Sequence, residues 1–159
     1  MASNYCVFCQ ISTGDIPIHQ VWEDQQHLGF LSIFPNTEGF TVVIPKQHLG
    51  SDPFAQTDDD LQALILATKK VANILTNFFS DVSRCGMFFE GFGVDHLHSK
   101  LYPMHGTGDL KSWKPIESGP IDTYFEMYPG YLSSHDSHRA PDEKLAKLAT
   151  SIRASYQNE

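Results

Sequence analysis

The chain has 159 residues, a length that fits one domain and buries enough surface for a core without disulfide support. Its formal net charge of −8 argues against general nucleic-acid binding, which relies on clustered Lys and Arg, so any phosphate site must be local. No apolar run reaches the roughly 20 residues of a membrane span, and residues 1–5 lack signal-peptide character. Together with an odd set of three cysteines, these features predict a cytoplasmic protein without a membrane partner.

Strand patterns and then a helix pattern occupy the first half of the chain. Strands are predicted for residues 20–23, 28–33 and 40–44, where short apolar runs are separated by turn residues. From Thr57 the apolar spacing becomes helical, and Thr57 with Asp60 resembles a capping box. The stripe of this long helix consists of Leu61, Leu64, Ile65, Thr68, Val71, Leu75 and Phe78.

The second half returns to strand spacing and ends in a helix. Residues 85–89 alternate as a strand, and the next strand carries a histidine row with Leu97 and Leu101 facing the core. Residues 104–140 are rich in turn residues and aromatics, and no regular structure is predicted for them. Pro141 suits a first helical turn. The stripe of the C-terminal helix consists of Leu145, Leu148, Ala149, Ile152 and Tyr156.

The histidine row is the strongest chemical signal in the sequence. If residues 96–100 form a strand, His96, His98 and Lys100 share one face at spacings of about 7 Å. Imidazole serves as a nucleophile, a general base or a metal ligand near neutral pH, whereas an ammonium group offers donors and positive charge to an anion. The row therefore indicates chemistry on a phosphate group.

Three motifs, in order along the chain, give it a resemblance to a known family. The first is CVFCQI at residues 6–11 with GDIP at residues 14–17, and the second is VIPKQH at residues 43–48. The third is VDHLHSKLYP at residues 94–103. Over about residues 5–103 the chain resembles the histidine-triad family of nucleotide hydrolases and transferases.

The resemblance implies an α+β fold, with a mainly antiparallel sheet, a long central helix and a C-terminal helix, usually built as a homodimer. Residues 1–159 would form a single domain, with residues 104–159 as a C-terminal extension that ends in a helix. His98 matches the middle histidine of the triad, which is the nucleophile. It would attack the α-phosphate of a nucleoside phosphoramidate or dinucleoside polyphosphate, and water would hydrolyse the nucleotidyl-histidine formed. A small-molecule nucleotide is thus the expected partner.

Four departures from the family pattern fall where the substrate is expected. Lys100 replaces the third histidine, and we expect it to anchor a phosphate, because an ordinary lysine pKa of about 10.4 makes a poor proton shuttle at pH 7. Phe40 replaces a supporting histidine, and Phe89 replaces an asparagine. Ser32 stands where the family has a ribose-binding aspartate; its hydroxyl can still bond to ribose but lacks the charge.

Three further polar residues have two interpretations each. Glu90 or Asp95 could supply a missing polar group at the site, although acids near a turn are more often solvated surface residues, and that interpretation is preferred. His105 follows the triad directly and could reach the site from the next loop, sharing the role of the missing imidazole. Its alternative is an ordinary surface position.

A metal site is predicted at the start of the chain. Cys6 and Cys9 have C-x₂-C spacing and need two nitrogen ligands to complete a tetrahedral zinc site. In the bacterial family members that open this way, the positions matching Cys6, Cys9, His48 and His96 bind zinc. A closed four-ligand site is structural, so the zinc would fix His96 rather than activate water. The alternatives are free thiols or a redox pair.

Two other functions remain open from the sequence. Lys100, Phe40 and Ser32 could mark a non-catalytic nucleotide-binding or partner-binding module that keeps the scaffold without turnover. Alternatively, His98 is only a core residue of a zinc-stabilised protein, which predicts no nucleotide affinity. The presence of His98 beside Lys100 favours an enzyme that hydrolyses phosphorus anhydride or phosphoramide bonds.

Overall fold

The computed structural model describes residues 6–109 and 138–157, which form an α+β fold. Most of residues 104–140, for which the sequence predicts no regular structure, lies outside the described residues. No helix in the described ranges is long and apolar enough to cross a bilayer. The elements are α1 Val7–Thr13, β1 Gln20–Glu23, β2 His27–Leu31, β3 Thr41–Pro45, a short 3-10 turn Pro53–Ala55, α2 Asp58–Phe78, β4 Cys85–Phe88, β5 Ser99–Pro103 and α3 Asp142–Gln157.

The five strands form one sheet in which every neighbouring pair is antiparallel, as expected. The order is β1-β2-β3-β5-β4, so β5 lies between β3 and β4. The register places Lys100 of β5 between Val42 of β3 and Phe88 of β4. Because cross-strand partners point to the same face of a sheet, these three side chains share one face.

Different helices cover the two faces of the sheet. On one face, Val43 and Leu101 lie in the main core, which α2 and α3 complete. On the other face, Ile11 of α1 packs in a smaller cluster with Val42. Since Lys100 is the register partner of Val42, it lies on the α1 face.

The two long helices begin where the sequence predicts. Thr57 is the N-cap of α2, and its hydroxyl accepts a hydrogen bond from the Asp60 amide at 3.1 Å. The Thr68 hydroxyl lies 2.6 Å from the Ser99 hydroxyl and connects α2 to β5 inside the core. Both predicted stripes face the main core, through Leu64, Val71 and Leu75 of α2 and Leu145, Ala149 and Ile152 of α3.

The strand that carries the histidine row begins later than predicted. β5 starts at Ser99, so His96 and His98 lie in the connection before it. The Leu97 amide donates to the Leu49 carbonyl, in the loop before α2, at 2.8 Å instead of to a neighbouring strand. The chain joins the sheet only after this loop contact, although Leu97 is buried as expected.

The second strand ends earlier than predicted, at Leu31 rather than residue 33, because Ser32 belongs to a turn. The Ser32 amide donates to the Phe40 carbonyl at 2.9 Å. The Ser32 hydroxyl accepts from the Phe34 amide at 3.1 Å, which turns the chain away from the sheet.

Candidate active site

Two cysteines and two histidines from distant parts of the chain meet beside α1. Cys6 is the N-cap residue of α1 and Cys9 lies in its first turn, while His48 follows β3 and His96 precedes β5. The Cys6 Sγ lies 3.4 Å from His96 Nδ1, and the Cys9 Sγ lies 3.3 Å from His48 Nδ1. The four candidate ligand atoms lie within 4.8 Å of one another. Tetrahedral zinc holds sulfur and nitrogen ligands about 3.6 Å apart, so the spacing fits.

The protonation of His96 also fits a metal ligand. Its Nε2 lies 2.8 Å from the Pro45 carbonyl oxygen, which can only accept, so Nε2 carries the proton and Nδ1 presents a lone pair to the cysteines. Burial lowers the pKa of His96 and favours the neutral ring that binds metal. Cys6 and Cys9 are buried as well. Two thiols and two imidazoles gathered in this way form a donor set suited to structural zinc.

His98 is oriented by a member of this cluster. Its Nδ1 lies 2.7 Å from the His96 carbonyl oxygen. Because a carbonyl only accepts, Nδ1 is the donor and Nε2 carries the lone pair that a nucleophile needs. His98 itself is buried, at 3% exposure.

Phe8 of α1 contacts both histidines, a role for which the sequence offered no signal beyond an aromatic residue between two predicted ligands. Its ring centroid lies 5.8 Å from that of His96 and 5.4 Å from that of His98, edge-on in both cases. The ring also packs edge-on against Phe30 of β2 at 5.8 Å. The segment that carries the cysteines therefore also packs against the candidate nucleophile.

Lys100 forms a buried ion pair with Glu90, which lies two residues beyond the end of β4. The two side chains are 5% and 4% exposed. Burial lowers the pKa of Lys100 to about 8. The second carboxylate oxygen of Glu90, Oε2, is buried without a hydrogen-bond partner among the described residues. The preferred interpretation of Glu90 as a solvated surface acid is therefore wrong.

Aromatic side chains lie beside Lys100 on the α1 face. The rings of Phe40 and Tyr102 are stacked, with centroids 6.0 Å apart and planes 12° apart, and Phe88 lies 5.7 Å from Tyr102. Tyr102 is two residues from Lys100 on β5, so the two side chains share a face. Phe40, which the sequence places near the substrate, therefore belongs to the same face as Lys100.

Phe89 does not lie where the sequence analysis expected it. It packs against the main core, on the face that α2 covers. The reason is strand alternation, since Phe88 belongs to the α1 face by its register with Lys100, and the next residue points the opposite way. Asp95, by contrast, is an exposed loop acid whose carboxylate accepts from the Ser51 amide at 3.0 Å.

His105 does not approach His98 either. His98 precedes β5 and His105 follows it, so a strand of about 13 Å separates them. The His105 Nδ1 lies 3.1 Å from the Asp81 carboxylate, and its Nε2 lies 3.1 Å from the Glu38 carbonyl oxygen. Its ring packs edge-on against Phe79. The expected shared imidazole role is therefore corrected to a structural contact near the end of α2.

Comparison with known proteins identifies the family by sequence. The HIT domain family matches residues 13–105, more than half of the chain. An uncharacterized HIT-like protein of Methanocaldococcus jannaschii is 31% identical over 131 residues, which cover 79% of this chain and 99% of the relative. The adenosine 5'-monophosphoramidase hnt1 of Schizosaccharomyces pombe is 31% identical over 125 residues, which cover 78% and 85% of the two chains.

A solved structure has the same fold. The crystal structure of a Zn-bound histidine triad family protein from Mycobacterium smegmatis matches 97% of this chain and 94% of its own, with a TM-score of 0.68 and 24% identity. At that identity the likeness concerns the fold alone, and the family assignment depends on the sequence matches. The chain belongs to the HIT domain family.

Proposed function

We propose that this chain is a nucleotide hydrolase or nucleotidyl transferase in which His98 is the nucleophile. The hydrogen bond from His98 Nδ1 to the His96 carbonyl carries the proposal, since it leaves the Nε2 lone pair for attack. Nε2 attacks the α-phosphorus, and the bond to the leaving group breaks with its electron pair going to that group, which, when it is an amine, takes up a proton from solvent. In the second step a water oxygen attacks phosphorus and releases a proton to solvent, the P–N bond to His98 breaks, and its electron pair returns to Nε2.

The substrate class is a nucleoside phosphoramidate or a dinucleoside polyphosphate. The name of the S. pombe relative, an adenosine 5'-monophosphoramidase, supports the first of these. Both substrates present an α-phosphorus with a leaving group, so one nucleophile serves either. Relatives of this kind support a hydrolase activity for this chain.

The remaining substrate contacts are proposed from their position. Lys100 lies near the start of β5, two residues after His98. Phe40 stacks on Tyr102, which lies on the same face of the sheet as Lys100. The Ser32 hydroxyl accepts from the Phe34 amide, which leaves its own proton to donate to a ribose oxygen. We propose that these three residues line the nucleotide site.

We also propose that Cys6, Cys9, His48 and His96 hold structural zinc. Support comes from the 4.8 Å spread of the four ligand atoms and from the hydrogen bond that orients His96. The M. smegmatis relative is described as Zn-bound. Four protein ligands leave no open position for substrate, so the metal would stabilise the site without joining the reaction. Thiols of this kind suit a reducing compartment, and a cytoplasmic location is part of the proposal.

The test is product formation from adenosine and guanosine phosphoramidates and dinucleoside polyphosphates, with native protein and His98→Ala at equal zinc content. We expect turnover by the native protein to fall at least about 1,000-fold in the variant, because no other group replaces the nucleophile. Mass spectrometry of native protein quenched in alkali, where the P–N bond is stable, should detect one nucleotidyl group on His98. His19→Ala, which alters a histidine bonded to Asp142, is the matched control and should keep its activity.

Each of the two alternative functions predicts a different negative result in this test. If native protein binds nucleotide without turning over any compound, the non-catalytic module is favoured. If it neither binds nor turns over nucleotide, His98 is a packed core residue and the proposal is wrong.

A further inference from the structure

The buried Glu90–Lys100 pair occupies the part of the α1 face next to His98. On β4, the register partner of Lys100 is Phe88, the last residue of that strand. Glu90 follows two residues later, at the end of the sheet where the chain enters β5 from His98. Glu90 is joined to Lys100 by an ion pair, so both charged groups lie on the face that also carries Val42. The pair therefore lies on the α1 face, at the end of the sheet where His98 precedes β5.

Pairing with Glu90 removes the net positive charge that Lys100 alone would present to a substrate. An ammonium with a carboxylate, or an amine with a carboxylic acid, has zero net charge, so the pair adds no positive charge to the site in either arrangement. Both side chains are at most 5% exposed, and little solvent screens their interaction. An anionic leaving group thus gains much less here than it would beside an unpaired lysine.

The second carboxylate oxygen of Glu90 favours a leaving group with an N–H donor. Oε2 is buried and has no hydrogen-bond partner among the described residues. An ionised carboxylate only accepts hydrogen bonds, so this oxygen is suited to an N–H donor and repels a phosphate oxygen. A buried acceptor of this kind discriminates strongly between a substrate that supplies the donor and one that lacks it.

We propose that Glu90 is a specificity-determining residue whose Oε2 accepts a hydrogen bond from the N–H of an amine leaving group, so that the site selects nucleoside phosphoramidates over dinucleoside polyphosphates. This inference rests on the proposed function of His98. Lys100 then acts as a positioning residue, since its ion pair holds the carboxylate in place.

The experiment compares kcat/KM for two substrates with the same adenosine 5'-phosphoryl part, one with an amine and one with an adenosine polyphosphate leaving group. We expect native protein to prefer the phosphoramidate by roughly 100-fold. Glu90→Gln keeps the side-chain shape, removes the charge and adds an N–H₂ donor, and it should reduce this preference to about tenfold or less. Glu143→Gln removes an exposed acid on α3 and should leave the ratio unchanged.

A double variant guards against misfolding. Glu90→Gln leaves the buried ammonium of Lys100 without its counter-charge, whereas Glu90→Gln with Lys100→Met removes both charges at similar volume. We expect the double variant to melt cooperatively, as the native protein does, and to lose the preference. An unchanged preference in a folded variant, or equal kcat/KM for the two substrates in native protein, would overturn the inference while the role of His98 stands. Turnover that survives in His98→Ala would instead contradict the proposed function.

Discussion

At the scale of single residues, His96 and His98 each bond to a different backbone carbonyl oxygen, and this bond determines which ring nitrogen keeps its lone pair. The Pro45 carbonyl accepts a hydrogen bond from His96 Nε2–H, so Nδ1 faces the cysteines with its lone pair. The His96 carbonyl accepts a hydrogen bond from His98 Nδ1–H, so the lone pair of His98 is on Nε2, the proposed nucleophilic atom. Strand alternation treats the two imidazoles as equivalent, so the expected roles of His96 and His98 depend on the family resemblance, and the spacing does not predict which ring nitrogen each presents. This difference arises from the loop before β5, which the local sequence pattern does not reveal.

Phe8 is expected to affect the rate more than substrate binding. Its ring holds His98 edge-on, an interaction typically worth about 1 kcal/mol, which corresponds to roughly fivefold in rate. Phe8→Ala should therefore lower kcat about fivefold with little change in KM, measured on the preferred substrate. Phe8→Leu should recover part of the loss. Val7→Ala, at an exposed neighbour on α1, is the control, and an equal loss there would contradict a specific role for Phe8.

His105 is expected to make stability depend on pH. Burial disfavours its protonation, but the Glu38 carbonyl and the Asp81 carboxylate outweigh this effect and raise the pKa of His105. A raised folded-state pKa stabilises the protein fully below the unfolded value of 6.5, and the stabilisation is lost as pH rises through the folded pKa. His105→Gln should lower the Tm by about 2 °C at about pH 5.5 and by less at about pH 8.5. Equal Tm differences at the two pH values would rule out this charge effect.

At the scale of elements, α1 depends on its surroundings. A helix of seven residues does not form stably alone, because nucleation costs more than so few hydrogen bonds return. Ile11 and Phe8 pack on the sheet, and Cys6 and Cys9 connect the helix to His48 and His96. Metal binding should therefore be what fixes this end of the chain.

Removal of the two proposed cysteine ligands should loosen α1 and lower stability. Cys6→Ser with Cys9→Ser is expected to abolish zinc content by elemental analysis and to lower the Tm by roughly 10 °C. Hydrogen exchange should increase at residues 7–13 more than in α2. Cys85→Ser is the matched control, because burial raises the pKa of this thiol to about 11 and keeps it protonated, outside the cluster. Unchanged zinc content in the double variant would refute the site.

The sequence predicts the elements better than the site, for a physical reason. Periodicity reports which face of an element is buried, and it correctly predicts the long helix that begins after Thr57, the first three strands to within two residues and the stripe of α3. The burial of Glu90 depends on Lys100, a residue ten positions away on the strand that neighbours β4. An acid directly before Gly91 resembles a surface turn, and only the register reveals the pairing.

At the scale of the whole molecule, the expected homodimer remains a prediction. β4 is the outer strand of the described sheet beyond β5, and Met87 on it is 44% exposed. An apolar side chain on an edge strand is suited to pairing with a second copy. Light scattering should give twice the monomer mass for native protein, and Met87→Lys should shift it towards the monomer. A monomer mass for native protein at all concentrations would contradict the dimer.

The burial of His98 also bears on the fate of a nucleotidyl-histidine. A side chain that is 3% exposed has little contact with bulk water, so the second step requires a water molecule to reach a buried position. The lifetime of the intermediate would then depend on how readily water reaches the phosphorus. Whichever acceptor enters first, water or another nucleophile, would determine whether the protein hydrolyses its substrate or transfers the nucleotide.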